Sequence, residues 1–311
     1  MMNLCSPSVV RELLASHSLS PRKSLGQNFL IDPRIPELTA DAARKYAEIS
    51  GGPDAPKGVI EIGPGIGALT DALSSRFDRV VSVEIDRGLA DLFSETFSER
   101  ENVVLVVDDF LKTDVKQLIE EHFSDILGSG GTVGVCANLP YYITTPVIMK
   151  LLESFDPSDP VPLSAITVMI QSEVADRLTA EAGSPEYGSV TASVSLRCAV
   201  RKNFDVSPGC FFPPPKVKST VVSIIPHGGI KEIFDGAPDD MEECGAFFGK
   251  VHAVIEAAFS QRRKTLTNSL SRLYSKDRIV SGLERMGLRT DIRGEKLSAS
   301  DFCRLTYELI K

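Results

Sequence analysis

The stretch EIGPGIGALT, residues 61–70, joins an apolar run to a helical pattern through Gly63, Gly65 and Gly67. Glycines between a strand and a helix allow unusual dihedrals and close approach of backbone to a ligand. The spacing is G-x-G-x-G, whereas the dinucleotide fingerprint sets its third glycine three positions after the second. Pro64 stiffens the turn. The pattern favours an adenosine-containing cofactor other than NAD; a purely structural turn is the alternative for a glycine loop taken alone.

Working outward, VIEIG (59–63), RVVSVEI (79–85), VVLVVDD (103–109), TVGVCAN (132–138) and SAITVMI (164–170) read as strands. They are mostly continuous apolar runs, as expected of parallel strands covered on both faces. Amphipathic segments such as ALTDALSSRF and RGLADLFSETF lie between them. This βα repetition predicts a doubly wound, Rossmann-like α/β sheet. STVVSIIP (219–226) reads as a late strand at the sheet's other end. Farther on, GKVHAVIEAAFSQRRKTLTNSLSRLY, SKDRIVSGLERMG and SASDFCRLTYELI read as helices of a small C-terminal all-α domain, with Ser298 or Ser300 as an N-cap. The expected division is 1–227 for the α/β domain, 228–244 for an acidic linker and 245–311 for the helical domain. The first 20 or so residues form an extension in which VVRELLAS reads as a short helix.

The 311 residues suffice for one large or two modest domains, and 24% charged residues is ordinary for a soluble protein. Six scattered cysteines with no CxxC pair argue against a zinc site and a disulfide framework, and the four histidines show no metal spacing. No apolar run reaches the roughly 18 residues needed to span a bilayer. A cytoplasmic protein without metal or membrane attachment is expected. The net charge of −8 argues against nucleic acid only as a sum, because the charge is segregated. Residues 259–293 carry nine Lys/Arg against three acids, and 191–227 carry five against one. Each basic run is either a wet helix face or a phosphate-binding surface.

Further candidate groups sit at strand ends. Glu84 ends the second strand, where a carboxylate can accept from both hydroxyls of a ribose. Asp108-Asp109-Phe110 ends the third, where one acid can accept from an adenine amino group and Phe110 can flank the ring. Such ends converge on one crevice, and together they read as an S-adenosylmethionine (SAM) pocket. ANLPYYITTP (137–146) follows the fourth strand. A bland turn would serve there, since Asn and Pro commonly end strands. For an adenine target, the Asn138 side-chain carbonyl and the Leu139 backbone carbonyl could instead accept both amine hydrogens. Pro140 would stiffen this turn and Tyr141 would stack on the base, while Tyr142 is assigned to structure.

SLGQNFLID (24–32), EIGPGIG, VEID (83–86), DDF, NLPY, FFPPPKVKSTVV (211–222) and FSQRRKTLTNSL (259–270) resemble the KsgA-type ribosomal RNA adenine dimethylases. The resemblance runs from about Arg22 to the C-terminus. It implies SAM-dependent dimethylation of two adjacent adenosines in the 3′-terminal hairpin loop of small-subunit (16S) rRNA, as part of ribosome biogenesis. The substrate would be rRNA or a 30S precursor particle and the enzyme a monomer. By motif, Asn28 and Leu30 would close over the methionine part of SAM. Gly63 and Gly65 would contact the cofactor, Glu84 the ribose, and Asp109 rather than Asp108 the adenine. Asn138 would lie between cofactor and target base, with Tyr141 and Phe211 on the two faces of that base. Position 28 is often histidine in the family and is Asn here. Lys216, Lys218, Arg262, Arg263 and Lys264 are the candidate phosphate contacts. The alternatives are a resistance-type large-subunit rRNA methyltransferase, which FSQRRKTLTNSL disfavours, and a non-catalytic assembly factor, which the complete acidic and NLPY set disfavours.

Overall fold

The apolar runs become a sheet because each strand can bury both faces beneath helices. The computed structural model describes residues 3–22, 25–153, 163–227, 230–238, 240–261 and 263–311. In chain order the elements are α1 (Pro7–Ser16), β1 (Phe29–Leu30), α2 (Arg34–Gly51), β2 (Lys57–Ile62), α3 (Ala68–Ser74), β3 (Arg79–Glu84) and α4 (Arg87–Thr96). There follow β4 (Val103–Val107), α5 (Val115–Gly128), β5 (Thr132–Asn138), α6 (Thr144–Glu153), β6 (Leu163–Gln171), α7 (Ser172–Leu178) and α8 (Ser189–Ser195). The rest are β7 (Cys198–Val206), β8 (Phe211–Phe212), β9 (Ser219–Pro226), α9 (Met241–Phe259), α10 (Leu266–Ser269), α11 (Lys276–Arg285) and α12 (Ala299–Ile310). Two compact units result. Among the described residues, one comprises 3–22, 25–153, 163–175 and 201–225; the other comprises 176–200, 226–227, 230–238, 240–261 and 263–311.

In the first unit the sheet order is β4-β3-β2-β5-β6-β9-β7. β4 through β6 are mutually parallel, and β9 runs antiparallel to β6 with Ile224 opposite Ile166. The chain leaves β2 toward β3 and β4, then crosses to β5 on the other side. This switch point opens a crevice beyond the carboxyl ends of β2 and β5. The five expected strands appear with ends shifted by no more than two residues, and STVVSIIP forms β9. β7 was not expected. It is an edge strand with exposed Arg201 and Lys202, so it lacks the continuous apolar run of its neighbours. The extension forms α1, whose Val10 and Leu14 pack in one cluster with Phe29, Ile66, Leu89 and Leu92. It therefore backs the glycine loop.

The second unit is built on α9, where Phe247, Val251, Val254, Ile255 and Ala258 recur at helical spacing and are buried with Phe302, Leu305 and Leu309 of α12. Asp240 caps α9 by accepting from the Glu242 and Glu243 amides, and Ser298 caps α12 in a reciprocal box with Asp301. This unit is larger than the expected 245–311. Residues 176–200 belong to it, with Tyr187, Ala192 and Leu196 in its core and the Tyr187 hydroxyl donating to the Leu297 carbonyl at 2.9 Å. The stretch expected as an acidic linker also contributes, through buried Ile230, Phe234 and Ala237. Its charged members Lys231, Glu232 and Asp235 face outward, so acidic composition concealed an amphipathic segment. The Phe234 ring lies 6.0 Å from that of Phe247 and 5.6 Å from that of Tyr307. Phe234→Ala should destabilise the protein by about 3–5 kcal/mol in denaturant unfolding. A change within about 0.5 kcal/mol would mark a solvated linker instead.

Candidate active site

The crevice is a cavity of about 250 Å³ lined by residues from every strand end named above, including Gly63, Gly65, Glu84, Asp109, Asn138 and Phe211. Gly63 and Gly65 have φ of +65° and +60°, a region side chains disfavour. A Cβ at Gly63 would meet nothing within 4 Å, so its bare backbone faces open pocket, while one at Gly65 would lie 3.2 Å from the Phe29 ring.

Glu84 is only 4% exposed. Burial raises its pKa, opposed by hydrogen bonds from the Asp86 and Gly65 amides. The Asp86 amide donates to Oε1 at 2.8 Å and the Gly65 amide to Oε2 at 3.2 Å. Each carboxylate oxygen keeps a further lone pair, a donor-poor arrangement suited to the two hydroxyls of a ribose. At the next strand end the two acids differ. Asp108 accepts from the Asp109 amide at 2.8 Å through Oδ1 and from the Thr113 hydroxyl at 2.9 Å through Oδ2, which ties its side chain back into its own turn. Asp109 accepts from the Leu111 amide at 3.1 Å through Oδ1, and among the described residues its Oδ2 has only the exposed Lys112 ammonium at 3.6 Å. Buried Phe110 and half-exposed Ile85 complete this end. The cavity thus fits an adenosine, with acceptors for a diol and an amino group.

At the end of β5 the Asn138 Nδ2 donates to the Asn28 backbone carbonyl at 3.2 Å. That bond fixes the amide and leaves Oδ1 as an acceptor. The Leu139 amide donates to the Met169 carbonyl at 3.2 Å, holding this peptide to β6. The Pro140 carbonyl accepts from the Ile143 amide at 3.1 Å and closes a short 3-10 turn over Tyr141–Ile143. Two tyrosines therefore stand in a turn that a hydrogen bond defines. Tyr141 is half-buried, its hydroxyl 2.8 Å from Ser219 Oγ, and burial raises its pKa. Tyr142 is 56% exposed at the cavity rim beside Gly26.

Asn28, Leu30 and Phe211 arrive through a pairing with no local sequence signal. β1 and β8 form a two-stranded antiparallel ladder with Leu30 opposite Phe211 and Phe29 opposite Phe212. Phe211 is 2% exposed, packed with Leu30 and Met169. The Asn28 side chain turns back to donate to the Gly26 carbonyl at 2.9 Å, so its backbone is the part that meets Asn138. Lys216 and Lys218 are exposed and do not line the cavity. Arg263 and Lys264 are exposed in the second unit, and Arg262 lies outside the described residues.

Sequence reasoning passed over Glu61. Its Oε2 accepts from the Thr70 hydroxyl at 2.6 Å and from the Ser82 hydroxyl at 2.7 Å, while Oε1 is buried with no partner among the described residues. Burial pushes its pKa from 4.5 to about 7. A charged residue inside an otherwise apolar strand was the available signal.

Fold and site together define a Rossmann-like methyltransferase with an acid-lined crevice at the switch point of its sheet. The chain belongs to the ribosomal RNA adenine dimethylase family, whose model matches residues 18–311. It is 38% identical to the ribosomal RNA small subunit methyltransferase A of Pediococcus pentosaceus, over 98% of this chain and 95% of the relative. The protein of that name from Anoxybacillus flavithermus is also 38% identical, over 99% and 96%. Among solved structures, the 23S rRNA methyltransferase ErmE aligns with a TM-score of 0.66 at 22% identity, covering 91% of this chain and 100% of its own. A Plasmodium falciparum dimethyladenosine transferase aligns with 0.63 at 24%, covering 85% and 94%. At these identities the two structures speak for the fold alone.

With Glu61 at about pKa 7, the native state between pH 4.5 and 7 holds a proton that the unfolded chain has released. Stability from this group is therefore fully present below pH 4.5, falls by roughly 3 kcal/mol as pH rises to about 7, and is level above it. Glu61→Gln should remove that slope when unfolding is followed across the range. A wild-type-minus-variant difference independent of pH would contradict the assignment.

Proposed function

We propose that this protein transfers methyl groups from SAM to the exocyclic amines of two adjacent adenosines in the 3′-terminal hairpin loop of small-subunit rRNA, forming N,N-dimethyladenosine. The observation that carries the reading is the oriented Asn138 amide, whose Oδ1 is left to accept. When bound, SAM supplies a methyl already activated by its sulfonium. Glu84 holds the ribose hydroxyls, Asp109 accepts from the cofactor adenine, and the Gly63 and Gly65 backbone admits the ligand. Asn28 and Leu30 close over the methionine part.

An adenine amine is a poor nucleophile because its lone pair is delocalised into the ring. Asn138 Oδ1 and the Leu139 carbonyl accept its two hydrogens and turn the lone pair toward the methyl, with Pro140 stiffening the turn. The catalysis is positioning and electrostatics. The cationic methylated amine is acidic and loses its proton to water. Tyr141 stacks on one face of the base, worth about 1–3 kcal/mol, with its ring fixed through Ser219. Phe211 meets the other face. This stacking offsets the few kcal/mol needed to extrude the adenine.

Lys216 and Lys218, and in the second unit Arg262, Arg263 and Lys264, bind phosphates, which makes affinity steeply dependent on salt. The helical unit grips the RNA and the α/β unit methylates. The enzyme works as a cytoplasmic monomer on rRNA or a 30S precursor, and contributes to ribosome biogenesis. Relatives named for the small subunit match at 38% identity across nearly the whole chain, which supports this choice of substrate. Labelled SAM incubated with the protein and separated 30S or 50S particles from an unmethylated strain should label 30S. Label in 50S alone would overturn the choice of substrate.

A further inference from the structure

Gln27 lines the cavity but has no part in the chemistry above. Both ends of its side chain are engaged. Oε1 accepts from the Arg22 amide at 2.8 Å, and Nε2 donates to Asp86 Oδ2 at 3.1 Å. Asp86 is buried, and a buried carboxylate is costly unless it is paired and hydrogen-bonded. The same Oδ2 lies 3.2 Å from Arg22 Nη1, while Oδ1 accepts from the Gly88 amide at 3.1 Å and caps α4. The Asp86 amide in turn donates to Glu84 Oε1 at 2.8 Å.

One residue, Asp86, therefore binds the ribose-facing carboxylate through its backbone and the N-terminal segment through its side chain. The residue after Gln27 is Asn28, whose carbonyl receives Asn138 Nδ2 at 3.2 Å. Three hydrogen bonds and the peptide bond between Gln27 and Asn28 link Glu84 through Asp86 and Gln27 to Asn28 and Asn138. We infer that Gln27, held by Asp86, is a positioning residue that seats the Asn28 carbonyl against the Asn138 amide, coupling closure over the cofactor to the aim of the amine acceptor. The inference rests on the SAM-dependent reading above. Without the Gln27–Asp86 bond the Asn28 carbonyl keeps the β1–β8 ladder on its C-terminal side but loses its anchor on the N-terminal side. The Asn138 amide is then free to rotate and present its NH₂, a donor, where the target amine needs an acceptor. Cofactor affinity and saturated turnover should fall together, and RNA affinity should not.

The test uses full-length Gln27→Met, which keeps the side-chain length without its polar atoms, and Gln27→Glu, which sets a carboxylate against Asp86. SAM affinity by calorimetry should weaken about tenfold in Gln27→Met and further in Gln27→Glu, the scale of one charge-assisted hydrogen bond. Turnover on 30S at saturating SAM should drop about as much. KM for 30S should stay near wild type, and the melting temperature without ligand should fall by only about 2–4 °C in Gln27→Met, because Asp86 keeps Arg22 and the Gly88 amide. Wild-type SAM affinity and turnover in Gln27→Met would overturn the inference. So would a parallel loss of melting temperature, SAM affinity and RNA affinity, which marks a residue that serves stability alone. If Gln27→Met failed to fold, Asp86→Asn, which keeps the backbone bond to Glu84 but removes the charged acceptor of Gln27 Nε2, should weaken SAM binding in the same direction, and an unchanged affinity there would be equally fatal. Wild-type protein that bound no SAM would instead bring down the underlying reading, and this inference with it.

Discussion

The hydrogen bond from Asn138 Nδ2 to the Asn28 carbonyl decides which end of an amide faces the pocket. An asparagine in a turn is chemically ambiguous, since its two ends differ only in donating or accepting. Here the partner is a backbone carbonyl, which can only accept, so the amide nitrogen is committed and the oxygen is released. The rest of the site serves that choice. β5 delivers Asn138 to the crevice, and the Met169 carbonyl holds the following peptide. The β1–β8 ladder brings the Asn28 segment to it, and α1 packs behind Phe29.

The sheet supplies the second constraint. Its switch point concentrates backbone donors and buried acids at one edge, where low dielectric magnifies their differences. Glu84 and Glu61 are both pushed up by burial, yet only Glu84 is served by two backbone amides. Asp108 and Asp109 are adjacent, yet the Thr113 hydroxyl ties Asp108 back into its own turn and gives the Asp109 side chain no bond. Residue type alone would not separate either pair; the local donors do.

That contrast explains what the sequence disclosed. The parallel strands were legible because burial on both faces forces continuous apolar runs, and the pocket was legible because its glycines and acids fall at strand ends. The resemblance to a dimethylase family ordered the remaining motifs and preferred Asp109, for which the bonds of Asp108 supply a physical reason. The β1–β8 pairing was hidden, because two short strands far apart in sequence carry no periodicity. The second unit's claim on residues 176–200 was hidden for the same reason. Ile230, Phe234 and Ala237 were masked by acids that point to solvent. Gln27 and Asp86 look like ordinary surface polars until their shared contact is seen.

The most direct measurement is mass spectrometry of nucleosides digested from 30S particles after incubation with SAM and either wild-type or Asn138→Ala protein, with SAM affinity determined in parallel. Wild type should yield N,N-dimethyladenosine. The variant should lose about a hundredfold or more in rate, the scale for a missing preorganised hydrogen-bonding group, while its SAM affinity changes far less. Dimethyladenosine formed by Asn138→Ala at close to the wild-type rate would contradict the role of that amide.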